Sequence, residues 1–369
     1  MNIAILGTRG IPNHYGGFEQ FAEYLSLGLV KAGHKVTVYN SHTHPFQGKE
    51  WNGVSIVHRK DPEDKMGTFG QFLYDFNCIH HARKQQYDII LVLGYTSSSI
   101  WGWYYPRKRS IITTNMDGLE WKRTKYSPKV RRFLKYAEKL GAYYSDYLIA
   151  DSVGIQQHLQ AEYHRSSVYI PYGATIFEHP NMSCLDEYKV LPYNYDLLIA
   201  RLEPENSIET ILDGKIAENG DRKFLVIGKH ETKFGEYLKS KYAANDKIVF
   251  LGGIYNIDIL NNLRYFSNLY FHGHTVGGTN PSLLEAMASH CFICANDNIF
   301  NKSILGTDAL YFSTVTDVSH ILTTAQKSQD DTRALIDNNI AKIRTTYPWN
   351  HIVEQYLAHF EEIFTKAHK

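Results

Sequence analysis

Two doubly wound α/β domains in tandem, Rossmann-like and facing a cleft, are the fold class this sequence predicts, and three observations carry it. Short apolar runs alternate with longer segments of helical periodicity along most of the chain. The runs are bounded by turns and lack a polar face, as parallel strands covered by helices on both sides do. The alternation lapses once, over residues 172–192, where Gly173, Pro180 and Pro192 interrupt any period, and then resumes.

In order, a strand at 3–6 leads to an amphipathic helix at 18–32, stopped by Gly33, and a strand at 35–39. Further strands are predicted at 54–58, 89–93, 110–114, 147–150 and 168–170, with helices at 70–86, 128–145 and 153–163. After the lapse come strands at 197–200, 224–227, 248–251, 269–272 and 292–295, with helices at 207–217, 233–243, 256–266 and 281–289. A terminal amphipathic helix at 349–369 carries Trp349, Tyr356, Phe360 and Phe364. The expected division is 1–175, an acceptor-side domain, 190–345, a nucleotide-binding domain, and 346–369, a helix crossing back to the first domain.

Composition narrows the class. The 369 residues are 43% hydrophobic and 21% charged, which excludes a disordered or collagen-like chain. Lys and Arg number 39 against 38 Asp and Glu, a balance that argues against a dedicated nucleic-acid binder. Four Cys do not make a disulfide scaffold and point to a reducing compartment. Cys291 and Cys294 have half the spacing of a zinc knuckle, but no second pair exists and their stretch reads as a buried strand. No metal and no cofactor are expected. The start enters a glycine turn after one strand, so it reads as a first strand and not a signal peptide; nothing reads as a membrane span. The expected location is the cytoplasm, with peripheral attachment to the inner face of the plasma membrane as an option.

Ligands of open parallel sheets sit beyond the carboxyl ends of the strands, so the chemistry is sought in the loops there. The loop after the first strand, from Gly7 to Gly17, is not a dinucleotide fingerprint, because its glycines are wrongly spaced. Its terminal Gly16-Gly17 lets backbone approach a phosphate or a sugar at a helix N-terminus, with Arg9 and His14 supplying charge or a proton. The loop from His272 to Asn280 is richer. Asn280-Pro281 is an N-cap followed by Pro in the first helical position, and amides there favour an anion. Glu285, just over one turn in, is placed to accept hydrogen bonds from a ribose. Its replacement by Gln is expected to weaken nucleotide binding with the fold intact.

These segments together resemble glycosyltransferase family four, of GT-B fold. The Gly-Thr-Arg-Gly-Ile-Pro opening and the Gly-Gly-Thr-Asn-Pro-Ser-Leu-Leu-Glu-Ala-Met stretch are similar to those of a bacterial rhamnosyltransferase-like branch. The family's signature is Glu-x7-Glu before Ala-Met-Ala. The resemblance implies a nucleotide-diphosphate sugar as substrate, with L-rhamnose or a related deoxyhexose from a dTDP donor favoured. It further implies a saccharide or lipid-linked acceptor in cell-surface polysaccharide or O-antigen assembly, and retention of configuration. It maps the second signature Glu onto Glu285 and the first onto Gly277, so Gly278 and Thr279 would take over the donor sugar. Arg201 falls on the diphosphate-binding Arg, whereas its partner Lys is Asn206, leaving Lys229 or Lys233 to restore the charge. Asp117 stands where relatives carry a His near the transferred sugar, making Asp117 the catalytic candidate with His14 in reserve. Alternatives on the same scaffold are a nucleotide-sugar epimerase or phosphorylase, or a sugar-nucleotide-binding protein without catalysis. Finally, Lys129, Arg131, Arg132 and Lys135 lie on one predicted amphipathic helix, a candidate patch for an anionic membrane surface.

Overall fold

Two parallel sheets, each with its own core, organise the chain; the computed structural model describes residues 1–14 and 16–368. One compact unit comprises Met1–Lys122, Tyr126–Gly173 and Trp349–Lys369, the other Arg123–Lys125 and Ala174–Pro348.

In the first unit the order is β1 (Asn2–Leu6), α1 (Gly17–Lys31), β2 (Lys35–Ser41), β3 (Glu50–Trp51), β4 (Val54–Arg59), α2 (Glu63–Met66), α3 (Thr68–Ala82), β5 (Ile89–Leu93), β6 (Ile111–Asn115), α4 (Pro128–Tyr144), β7 (Tyr147–Ala150), α5 (Val153–Tyr163) and β8 (Val168–Tyr169). The sheet runs β3-β4-β2-β1-β5-β6-β7-β8, parallel except for the antiparallel edge pair β3 and β4. Strand β1 is buried from Ile3 to Leu6, as a central strand with helices on both faces must be. Where β1 ends, Gly7 has φ +87°, and a Cβ there would lie 2.2 Å from the Leu93 carbonyl oxygen, so only glycine fits between β1 and β5.

The second unit continues with β9 (Tyr195–Ile199), α6 (Ile208–Glu218), β10 (Lys223–Ile227), α7 (Lys233–Lys241), β11 (Ile248–Gly252), α8 (Ile257–Tyr265), β12 (Tyr270–His272), α9 (Pro281–Ala288), β13 (Ile293–Asn296), α10 (Ile299–Leu305), β14 (Leu310–Phe312), α11 (Val315–Thr324) and α12 (Asp330–Thr345). Its sheet, β11-β10-β9-β12-β13-β14, is the doubly wound order 3-2-1-4-5-6. Phe224, Phe271, Phe312, Leu198 and Val226 fill one core cluster.

The last helix, α13 (Trp349–Ala367), belongs to the first unit, as the crossing-back helix was expected to. Its aromatics explain the return. Phe21 of α1 packs against Tyr356 and Trp349 with centroids 5.2 and 6.2 Å apart, and Tyr24 stacks on Trp349 at 4.3 Å. The Asn115 side chain donates to the Tyr356 hydroxyl at 3.2 Å.

Three readings change. The helix expected at 70–86 begins at Thr68 after a separate turn of helix, α2, because Gly67 at φ +56° breaks the path. The stretch 299–345, unassigned from sequence, holds α10, β14, α11 and α12. The connection at 172–192 contains a 3-10 turn over Met182–Tyr188.

The α1–α13 contact makes a prediction of unusual sign. In an exposed helix Gly→Ala stabilises by about 1 kcal/mol. At Gly28 a Cβ would lie 2.5 Å from Val353 Cγ1, and overpacking costs about 1–3 kcal/mol. Gly28→Ala therefore lowers the thermal midpoint of the parent but raises it in a Val353→Ala background; the same sign in both backgrounds contradicts the packing account.

Candidate functional site

The switch point of the second sheet lies between β9 and β12, whose following loops are fastened together. A Cβ on Gly273 would sit 2.0 Å from the Asn206 carbonyl oxygen, so that position admits only glycine without movement. Two residues on, the Thr275 amide and hydroxyl donate to the Glu205 carbonyl at 3.1 and 2.8 Å. Asn298 and Asn301 both donate to the His274 carbonyl, at 2.9 and 3.1 Å. The loop bearing Arg201 and the loop bearing Gly277, Gly278, Thr279 and Asn280 thus form one surface.

Asn206, in the position mapped to a Lys, is buried and donates to the Arg201 carbonyl at 2.7 Å, a structural duty that fixes the turn. Arg201 is exposed, as are Lys229 after β10 and Lys233 at the start of α7. Helix α9 starts as read from sequence, with the Asn280 side chain accepting from the Ser282 amide at 2.9 Å and Pro281 in the first turn. Gly277 has φ +147° and open space where a Cβ would be. Glu285 does more than the sequence discloses. Its Oε2 accepts from Nη2 of Arg264 at 2.7 Å, and Arg264 is 1% exposed. Asn261 and Ser282 accept one further guanidinium bond each, at 3.1 and 3.3 Å, while Nε has no partner among the described residues.

Two histidines and a glutamate complete this face. The rings of His272 and His274 stack at 4.4 Å. Burial holds the His272 pKa down at about 3, and burial, then His272, Arg201 and Arg123, hold that of His274 well below its ordinary value, so both are neutral at pH 7. Both ring nitrogens of His272 and Nδ1 of His274 have no hydrogen-bond partner among the described residues. Glu205 is buried, with Arg123 Nη1 3.6 Å from its Oε1, while Lys125 Nζ lies 3.4 Å from Glu203 Oε1. Sequence reasoning missed Arg123, nearly 80 positions from Arg201. The available signal was the basic run in which it sits.

In the first unit, Glu19 is buried at the start of α1 and accepts from the Thr8 hydroxyl and the Arg9 amide at 3.1 and 2.8 Å, which ties down the loop after β1. Gly16 caps α1 without a side-chain bond, and Gly17 is its first residue. Arg9 donates from Nε and Nη2 to Glu63 at 3.0 and 2.7 Å, so its charge is already engaged by a carboxylate. His14 is exposed, its ring 6.5 Å from that of His44. Asp117 follows β6 and is half-buried; its charge acts on the buried hydroxyls of Tyr95, Tyr172 and Tyr356.

On α4, Lys129, Arg131 and Arg132 are exposed, but Lys135 is half-buried, 2.8 Å from Glu162 and 4.9 Å from the Trp121 ring centroid. Arg131 donates to the Trp121 carbonyl at 2.8 Å. Glu138, the acid within this basic run, is buried and accepts from Tyr95, Trp121, His158 and Tyr163 at 3.3, 3.0, 2.8 and 2.6 Å. It pins α4 to its neighbours. Among the described residues no group of three or more His, Cys, Asp or Glu is arranged to hold a metal, and no helix is long and apolar enough to cross a membrane. Cys291 and Cys294 are buried, and burial raises the Cys291 thiol to about 11.

A profile described as a domain of unknown function, DUF1972, matches residues 1–175. No curated protein matches the chain. Among solved structures, sucrose-phosphate synthase from Thermosynechococcus elongatus is similar at TM-score 0.80 and 16% identity, covering 99% of each chain. HepE of Anabaena, in complex with UDP and glucose, is similar at TM-score 0.74 and 17% identity, over 98% of this chain and 99% of that one. A glycosyltransferase from Rickettsia africae is similar at TM-score 0.70 and 14% identity, over 98% of both. The chain has the GT-B fold of these glycosyltransferases.

The Arg264–Glu285 pair yields a test. Glu285→Gln leaves the buried Arg264 charge without its carboxylate; because Glu285 itself is 22% exposed, the loss is about 1–3 kcal/mol. The denaturation midpoint of the variant should fall accordingly, and Arg264→Met added to it should restore part of the loss. A midpoint equal to the parent's contradicts the pairing.

Proposed function

We propose that the chain is a glycosyltransferase that takes its sugar from a nucleoside-diphosphate donor, held in the second unit at the switch point between β9 and β12. The observation that carries this reading is the fastened pair of loops there. They set an exposed Arg201 and a glycine-rich approach to the α9 N-terminus on one surface. Oriented amides, a helix dipole and guanidinium groups are what a departing diphosphate needs, because its negative charge grows as the glycosidic bond breaks.

In this reading Arg201 and Arg123 neutralise the diphosphate, and the backbone of Gly277, Gly278, Thr279 and Asn280 approaches its oxygens. Glu285, held by Arg264, accepts from the ribose hydroxyls. Lys229 is the remaining cation available. Asp117, in the first unit, is the residue proposed as catalytic, with His14 second to it. The finer assignments rest on the resemblance of the opening motif and the glycine-rich loop: membership of family four, transfer of L-rhamnose or a related deoxyhexose from a dTDP donor, retention, and a saccharide or lipid-linked acceptor in surface polysaccharide assembly. Attachment to an anionic membrane through Lys129, Arg131 and Arg132 belongs with them; the exposed Phe133 and Tyr136 on the same helix support it.

Thermal shift with UDP, dTDP and GDP tests the donor reading. Specific binding at a hundredfold excess over Kd stabilises by about 2.7 kcal/mol. At least one of the three raises the midpoint of the parent protein, and Arg201→Ala and Arg123→Ala each weaken that nucleotide about tenfold, the scale of a lost charge-assisted hydrogen bond. No shift with any of them overturns the proposal. Sedimentation with phosphatidylglycerol vesicles tests the patch. Association should weaken as salt rises and be lost when Lys129, Arg131 and Arg132 become Gln; salt-independent binding, or none, removes the membrane from the account.

A further inference from the structure

A pocket of about 280 Å³ opens in the first unit among the loops that follow β1, β2 and β4, with Arg9, His14, Thr43, His44, Asp61 and Asp64 in its lining. Apart from His14, the proposed function leaves it unused. It lies beyond the carboxyl ends of three adjacent parallel strands, where sheets of this kind bind ligands. Its volume lies just below the roughly 300–1,000 Å³ typical of ligand pockets, which suits one sugar ring.

The walls are preformed. Asn40 clamps Ile11 from both sides, donating to its carbonyl at 2.8 Å and accepting from its amide at 3.1 Å. The Ser41 amide donates to the Arg9 carbonyl at 2.9 Å, and the Tyr74 hydroxyl to the Thr8 carbonyl at 3.0 Å. His44 accepts from the Phe46 amide at Nδ1, 3.1 Å away, which leaves Nε2 to donate to the Pro12 carbonyl at 3.1 Å. Burial lowers its pKa, so it presents a neutral ring beside Pro45.

Charge decides what fits. Four carboxylates, those of Glu19, Asp61, Glu63 and Asp64, face one guanidinium, and Arg9 already spends two nitrogens on Glu63. An anion entering this pocket meets repulsion in a concave, partly desolvated site, where it is least screened. A hydroxylated ring meets carboxylates and the Thr43 hydroxyl able to accept its protons, and a Pro and imidazole wall for its carbon face. We infer that this pocket binds a saccharide ring that carries no acidic group, and that its carboxylates exclude uronic and phosphorylated sugars. That this ring is the acceptor of transfer rests on the proposed function; the binding itself does not.

The test is saturation-transfer NMR on the full chain. The probes are methyl glycosides of gluco, galacto, manno and rhamno configuration, with methyl glucuronide and galacturonide as matched anions and UDP thermal shift run in parallel. At least one neutral gluco or galacto glycoside should bind at least about tenfold more tightly than its matched uronide, the scale of one lost charge-assisted hydrogen bond. Thr43→Trp, which fills the mouth, should abolish glycoside binding. Asp64→Asn, an exposed change, and Asp61→Asn with it should shrink the neutral-to-uronide ratio. Both sets of variants should keep the parent's melting transition and its response to whichever nucleotide it binds, which together show that they are folded. Equal binding of glycoside and uronide, glycoside binding that survives Thr43→Trp, or no binding of any glycoside overturns the inference. A parent that binds glycosides but no nucleotide overturns the donor reading and leaves the pocket standing.

Discussion

The contact on which the candidate site depends is the absence of a side chain at Gly273. With no Cβ there, the Asn206 carbonyl comes close enough for Thr275 to donate twice to Glu205, and the loops after β9 and β12 become one surface. Everything assigned to the donor hangs from that junction. Arg201 is oriented by a turn that Asn206 closes, and the His272–His274 stack packs where β12 ends. Helix α9 then receives its cap two residues after the glycine pair. A larger residue at 273 would separate the loops and disperse the cations without touching any of them.

Electrostatics divides the labour between the units. The second brings the charges of Arg201 and Arg123 to bear on a neutral imidazole in the loop that leads to α9, which is where the proposed reading puts a diphosphate. The first gathers carboxylates around Arg9 and cancels that arginine with Glu63. On the proposed readings, the sign of the charge in each place would sort an anionic donor from a neutral sugar before any shape is compared, a use of repulsion as well as attraction.

Much of this was legible in the sequence, for physical reasons. Buried parallel strands are short and uniformly apolar, so β1, β5, β10 and β12 could be read within a residue or two, and Asn280-Pro281 announced the start of α9. Over 299–345 the signal fails because α12 is mostly polar and β14 has three residues, too few to show a period. Pairings across long sequence separations were invisible. Nothing local reveals that Glu285 neutralises Arg264, that Arg123 reaches Glu205, or that Glu138 is a buried hub and not the acid of a solvated helix face. The Gly7–Gly17 loop reads as functional ground, but its Arg9 reads as a phosphate ligand until Glu63, 54 residues on, is seen beside it.

The central claim is that a nucleoside diphosphate binds at the β9–β12 switch point, and a crystal structure of the chain grown with UDP or dTDP tests it most directly. The account predicts the diphosphate at hydrogen-bonding distance from the backbone of Gly278 to Asn280, with Arg201 and Arg123 on its oxygens and the ribose toward Glu285. A nucleotide bound elsewhere, or with its phosphates away from both arginines, contradicts it.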